Sequence, residues 1–170
     1  MIYVRKNFLP LELINDIDSY VSKNIGESKW YTNIVWPENI VRGGNQVSIL
    51  SLKAFEDKIK QTYVDYKSKF KNSKITAQCY VWQRGSHIPW HTDHSQGTRK
   101  MGSTIYLNKQ WDKNDGGLYL YEENKKIHAE VPEFNKMILN DHKLSHAVSM
   151  LTNTAKQVRV TLQIWLGTAQ

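Results

Sequence analysis

The sequence predicts an α+β fold that is mainly β, with two N-terminal helical segments packed on one sheet of a jelly roll. Three observations carry this. Apolar residues recur at helix spacing twice before residue 70, and a period of two takes over after residue 74. The strands that follow are short and broken by polar, glycine-containing turns. Helices grouped ahead of many short strands belong against a sandwich or jelly roll, not between parallel strands.

The first helix opens at Pro10, a favoured first-turn residue. Leu13, Ile14, Ile17 and Val21 carry it to Asn24, and Gly26 ends it. A second helix is predicted from Leu52 to Phe70, with Leu52, Phe55, Ile59, Tyr63, Tyr66 and Phe70 on one stripe. The segment between them holds Trp30, Trp36-Pro37 and Gly43-Gly44, and reads as short strands and a loop. Next, Ile75, Ala77, Cys79 and Val81 alternate with Thr76, Gln78, Tyr80 and Trp82. Further strands are predicted at Ser103 to Leu107, Leu118 to Tyr121, Lys126 to Glu130, Lys136 to Asn140 and Val158 to Leu166. A polar turn runs from Asn108 to Gly117.

A chain of 170 residues suits one domain over 1–170, with helical support at about 10–70 and a β core at about 75–166. No apolar run reaches membrane-span length, and Met1 to Glu12 lacks a signal-peptide pattern. The single cysteine, Cys79, excludes an internal disulfide and suits a reducing cytoplasm; it reads as a buried strand residue. The net charge of +7 gathers between Lys53 and Lys74. That run reads as a solvated helix face, with an acidic protein or nucleic acid as the alternative partner.

The chemistry centres on His91-Thr92-Asp93, then His146 and Arg159. At this composition a His-x-Asp pair arises by chance about 0.3 times, so context must carry the case. On a strand, residues i and i+2 share a face, so His91 and Asp93 can both aim inward while Thr92 aims away. Two imidazoles and a carboxylate can hold one face of an Fe(II) ion and leave three positions for a bidentate keto acid and O2. In the last strand Val158, Val160, Leu162, Ile164 and Leu166 make one apolar face, while Arg159, Thr161, Gln163 and Trp165 make the other. An Arg on so apolar a strand is either solvent-facing or paired with an anion inside, and a bound dicarboxylate would be that anion. His146 is preferred to His142 because a strand-like Ala-Val follows it. The rival His128-Ala129-Glu130 lies too near the next His for several strands to intervene. His94 and His142 are assigned to loops.

These residues stand in a longer pattern. Cys79-Tyr80, Gly85-Ser86, His91-Thr92-Asp93, Thr104-Ile105-Tyr106-Leu107-Asn108, Trp111-Asp112, Gly116-Gly117, His146-Ala147-Val148 and Arg159 through Trp165 follow in order over residues 75 to 166. The pattern resembles the Fe(II)/2-oxoglutarate oxygenases, specifically the prolyl 4-hydroxylase-like branch. The resemblance implies a double-stranded β-helix, the jelly roll of that family. It also implies Fe(II) on His91, Asp93 and His146, with 2-oxoglutarate and O2 as cosubstrates and ascorbate as an allowed accessory. Arg159 and Tyr106 would hold the 5-carboxylate of 2-oxoglutarate. Tyr80 would line the cosubstrate pocket, and Thr104 and Gln163 would wall it. His146 and Arg159 stand farther apart than the family usually has them, so Leu151 to Lys156 is expected to form a longer hairpin, with Lys156 as the fallback carboxylate contact.

The activity implied is hydroxylation of a peptide or protein, at proline, with release of succinate and CO2. Two alternatives stay open: an oxygenase acting on nucleic acid or a small molecule, and a non-catalytic jelly-roll binding module. Trp82, Trp90 and Trp111 are candidates for the walls of the mouth. Segments Trp30 to Asn45 and Ser95 to Lys100 are candidate substrate loops.

Overall fold

The computed structural model describes residues 1–24, 30–34, 46–93 and 99–168. Most of the loop expected over Trp30 to Asn45, including Trp36-Pro37 and Gly43-Gly44, lies outside the described residues. So do Gly26, His94 and most of the segment from Ser95 to Lys100.

The elements run β1 (Ile2–Arg5), α1 (Leu11–Lys23), β2 (Trp30–Ile34), β3 (Gln46–Ser51), α2 (Glu56–Tyr66), β4 (Ser73–Trp82), β5 (Ile88–His91), β6 (Arg99–Tyr106), β7 (Tyr119–Glu123), β8 (Lys126–Glu130), β9 (Met137–Asp141), β10 (His146–Val148) and β11 (Arg159–Thr168). They form a seven-stranded sheet, β1-β9-β6-β11-β4-β3-β2, and a four-stranded sheet, β5-β10-β7-β8. The named strands pair antiparallel, as a jelly roll requires.

The larger sheet has two different faces because its strands alternate. Ile75, Ala77 and Cys79 of β4, Ile105 of β6, and Leu162, Ile164 and Leu166 of β11 point to one side. There they meet Leu13, Ile14 and Ile17 of α1 and Ile59 and Tyr63 of α2 in one buried cluster. The helices therefore cover one sheet, as the sequence predicts. Cys79 is part of this core, and burial, aided by the charge of Asp18, pushes its thiol up to about 12. On the other side, Tyr106 and Ile138 pack against Tyr119, Tyr121 and Val148 of the smaller sheet.

Two expectations need correction, and one strand is new. The second helix is not continuous: Lys67 is extended (φ −151°, ψ 115°), and short 3-10 turns at Lys53–Phe55 and Ser68–Phe70 flank α2. The break lets Phe70 turn back into the core, where it is buried beside Tyr63. Strand β1 was not foreseen; it is a short, half-exposed edge strand on β9, so it shows no clean alternation. Finally, β10 and β11 lie in different sheets, so residues 149–158 cross between sheets and do not close a hairpin. Reciprocal Leu151–Ser86 and Leu151–Gly85 backbone bonds tether that crossing, at 2.8 and 2.7 Å.

Candidate active site

Strand register assembles the inner wall. Across β11, Arg159 stands opposite Trp82, Thr161 between Tyr80 and Tyr106, and Gln163 between Gln78 and Thr104. Alternate residues share a face, so this row turns toward the smaller sheet while Leu162 and Ile164 turn toward the helices.

The smaller sheet brings His91, Asp93 and His146 together. His91 ends β5 and stands opposite His146, which opens β10; their rings lie 4.1 Å apart. Asp93 sits two residues past His91, beyond the strand's end and not on it as expected. The spacing still works, because Asp93 is buried while Thr92 is exposed. Asp93 Oδ1 is 3.6 Å from His91 Nε2, and Oδ2 is 3.8 Å from His146 Nε2. Both separations exceed a hydrogen bond and suit donor atoms grouped around one ion. Among the described residues these three form the only group of His, Cys, Asp or Glu so arranged, with one donor atom of each within 4.8 Å of the others.

The tautomers follow from backbone contacts. Nδ1 of His91 is 2.8 Å from the Pro89 carbonyl, and Nδ1 of His146 is 2.9 Å from the Leu144 carbonyl. A carbonyl only accepts, so each Nδ1 carries the proton and each Nε2 lone pair faces the cluster. Burial, with His91 close by, lowers the pKa of His146 and keeps it neutral. Burial alone would raise Asp93, but the approach of His91, the charge of His146 and a hydrogen bond from Asn140 hold its carboxyl below the ordinary value. Two neutral imidazoles and a carboxylate are a good donor set for a divalent iron. Gly102 makes room here: a Cβ at that position would lie 3.0 Å from Asp93 Oδ2 and 3.3 Å from Asn140 Oδ1.

Arg159 lies at the other end of the wall, 3% exposed. Its guanidinium stacks 5.0 Å over Trp82, and Nη1 donates to the Gly117 carbonyl at 3.2 Å. Nε has no partner, and no carboxylate pairs with this cation among the described residues. Burial lowers its pKa to about 10, so it stays charged at neutral pH. A buried, unpaired cation is costly unless an anion joins it. Beside it, the hydroxyl of fully buried Tyr106 also lacks a partner, and burial raises that phenol to about 12. Two orphaned donors around one cation fit a carboxylate of an incoming dicarboxylic acid.

The Tyr-Leu-Asn and Gly-Gly motifs hold this end in place. Asn108 accepts from the Val160 amide at 2.7 Å and donates to the Val158 carbonyl at 2.9 Å, which grips the strand on both sides of Arg159. At Gly116 a Cβ would come within 2.0 Å of the Met150 carbonyl, so no side chain fits.

The remaining predicted residues are placed as follows. Tyr80 shares the inner face, and its hydroxyl donates to Gln78 at 3.0 Å. Thr104 donates to Gln163 at 3.1 Å, which links β6 to β11 along the wall. Lys156 points outward with its side chain 81% exposed, near Asp112 at 3.9 Å; it lines an outer groove with Lys109 and Lys113 and does not join Arg159. His128 is exposed and stacks on Tyr121 at 5.0 Å, and His142 lies in a turn. Trp82 is buried against Arg159, whereas Trp90 is exposed on β5. Trp111 packs behind Gly117, with its indole donating to the Gly116 carbonyl at 3.1 Å.

Three residues escaped the sequence reading. Asn140 and Gly102 stand opposite one another on β9 and β6, a pairing that only the sheet register reveals. Tyr119 is the third. It is 3% exposed, lies parallel to the His146 ring at 5.4 Å, and its hydroxyl has no partner.

The geometry agrees with the comparison to known families. The family model described as the 2OG-Fe(II) oxygenase superfamily matches residues 75–167. The chain belongs to this superfamily. It is therefore an enzyme of the Fe(II)- and 2-oxoglutarate-dependent oxygenase class. Its fold is similar to that of a prolyl-4-hydroxylase from Pseudomonas putida, with a TM-score of 0.76 at 15% identity over 99% of this chain and 92% of that one. A Trichoplax adhaerens prolyl hydroxylase, solved with a hypoxia inducible factor peptide fragment, gives 0.77 at 16% identity over 98% and 83%. A viral collagen prolyl hydroxylase from Paramecium Bursaria Chlorella virus-1, solved with 2-oxoglutarate, gives 0.64 at 14% identity over 99% and 96%. No curated protein matches the sequence. No helix among the described residues is long and apolar enough to cross a membrane.

Proposed function

We propose that this oxygenase hydroxylates a peptide or protein, at proline, with His91, Asp93 and His146 holding the iron. The observation that carries the substrate reading is the whole-chain likeness to prolyl hydroxylases, one of them solved with a peptide fragment. The single cysteine favours a reducing cytoplasm as its setting, and we take residues 1–170 as one domain.

Bound Fe(II) and 2-oxoglutarate supply the oxidation: O2 places one oxygen on the substrate and one in succinate, and CO2 is released. The chain's own residues orient and protect. Nε2 of His91, Nε2 of His146 and the Asp93 carboxylate would hold the iron. The Pro89 and Leu144 carbonyls hold both rings in the ligating tautomer. Arg159 and the Tyr106 hydroxyl would hold the 5-carboxylate of 2-oxoglutarate. Trp82, Thr104 and Gln163 wall the space between, with Tyr80 alongside.

The test is incubation with proline-containing peptides, Fe(II) and 2-oxoglutarate, read by mass spectrometry. A gain of one oxygen on a proline, with matching succinate, is the expected result. Succinate release with oligonucleotides or small metabolites, and none with peptides, would replace the reading.

A further inference from the structure

The space between the two sheets holds three buried donors without a partner: Arg159 Nε and the hydroxyls of Tyr106 and Tyr119. Arg159 and Tyr106 together serve one end of a dicarboxylate. Tyr119 stands on the facing sheet. It sits on β7, in the smaller sheet, opposite Val148 of β10 and two residues from the His146–Tyr121 pair. Its ring lies within 13° of parallel to the His146 imidazole, at 5.4 Å. On its other side it joins the cluster containing Tyr106 and Ile138. The ring thus packs both against the metal triad and within the cluster that holds Tyr106.

We infer that Tyr119 is a cosubstrate-binding residue whose hydroxyl donates to the metal-proximal end of the bound keto acid, its 1-carboxylate. An ordinary phenol is protonated at neutral pH and is a donor. A buried hydroxyl left unpaired is costly, and a charged acceptor gives the strongest relief. The ring that carries this hydroxyl stacks on the imidazole of His146, which puts Tyr119 at the metal end. A Phe would fill the same space and lose only the donor. The inference rests on membership of the oxygenase family and is independent of the peptide reading, so its test contains no peptide.

The experiment compares wild type with Tyr119→Phe under anaerobic conditions. Fe(II)-loaded protein is titrated with 2-oxoglutarate, and separately with 2-oxobutyrate, which lacks the distal carboxylate. The charge-transfer absorption of the complex reports binding. Tyr119→Phe should weaken both acids by the same factor, about tenfold or more for a lost hydrogen bond to a charged group. Fe(II) affinity without keto acid should stay within about twofold, and the metal-free variant should melt no lower than wild type. Unchanged binding of both acids would overturn the inference. So would a loss confined to 2-oxoglutarate, which would place the hydroxyl on the far carboxylate. A parallel loss of Fe(II) affinity would assign the effect to the stacked His146 ring, and would also overturn it.

Discussion

Nη1 of Arg159 donates to the carbonyl oxygen of Gly117 at 3.2 Å, and a Cβ on Gly117 would lie 3.2 Å from the Arg159 Cδ. The glycine thus both receives the guanidinium and leaves room for its stem. Gly117 also has φ +68°, where a side chain costs about 1–2 kcal/mol. Gly117→Ala should displace Arg159, raise the 2-oxoglutarate requirement about tenfold or more, and leave Fe(II) binding intact. Succinate release against 2-oxoglutarate concentration, with metal content measured in parallel, checks this.

Arg159 is a buried cation without an acidic partner among the described residues, so its removal should not harm the ligand-free fold. Arg159→Met is expected to melt at or above wild type without 2-oxoglutarate. It should lose most of the thermal shift that saturating 2-oxoglutarate gives wild type. Lys156→Ala, at an 81% exposed side chain, should keep that shift. Equal losses in the two variants would mean that the wrong basic residue has been chosen.

Removing one of three clustered donors leaves too few for a stable ferrous site. His91→Ala and His146→Ala should abolish 2-oxoglutarate turnover and lower bound iron, whereas His128→Ala should change neither. Iron content after desalting, together with succinate release, separates these cases. Retained iron in His146→Ala would move the second imidazole elsewhere.

The metal-free protein should lose stability on acidification. Burial puts the folded pKa of His146 below its ordinary 6.5, so between that value and 6.5 the unfolded chain binds more protons and stability rises with pH. Asp93 acts in the same direction lower down: its folded pKa lies below 3.8, and its contribution, present above 3.8, is lost as pH falls through the folded value. Urea midpoints of EDTA-treated protein from pH 4 to 8 should therefore fall below about pH 6.5. His146→Gln should flatten the upper part of that slope; an unaltered slope would assign the effect to another group.

The legible parts of the site were those set by local spacing. His91 and Asp93 stood out because a spacing of two on a strand shares a face, although Asp93 lies past the strand's end, and Arg159 stood out as one charge on an apolar strand whose role came only from the family resemblance. Tyr106 followed from its motif and from sharing a face with Thr104. Asn140 and Gly102 could not be read, because they are far apart in sequence and meet only through the pairing of β9 with β6. Tyr119 was read as part of a strand, where a tyrosine is ordinarily core; that its hydroxyl is orphaned depends on packing from both sheets. The crossing at 149–158 was misread for a related reason: its length is local, but which sheet each end joins is not.

Strand β10 is three residues long, yet it carries His146 opposite His91 on one side and Tyr121 on the other. Side chains alternate with every residue, so a slip of one position would turn His146 outward and bring Ala147 into its place. A strand this short has few bonds of its own with which to reject such an error. Iron, which needs the imidazole inside, would bind only the correctly threaded form. The metal would then proofread the sheet that holds it, and uptake of iron would report that this short strand has found its place.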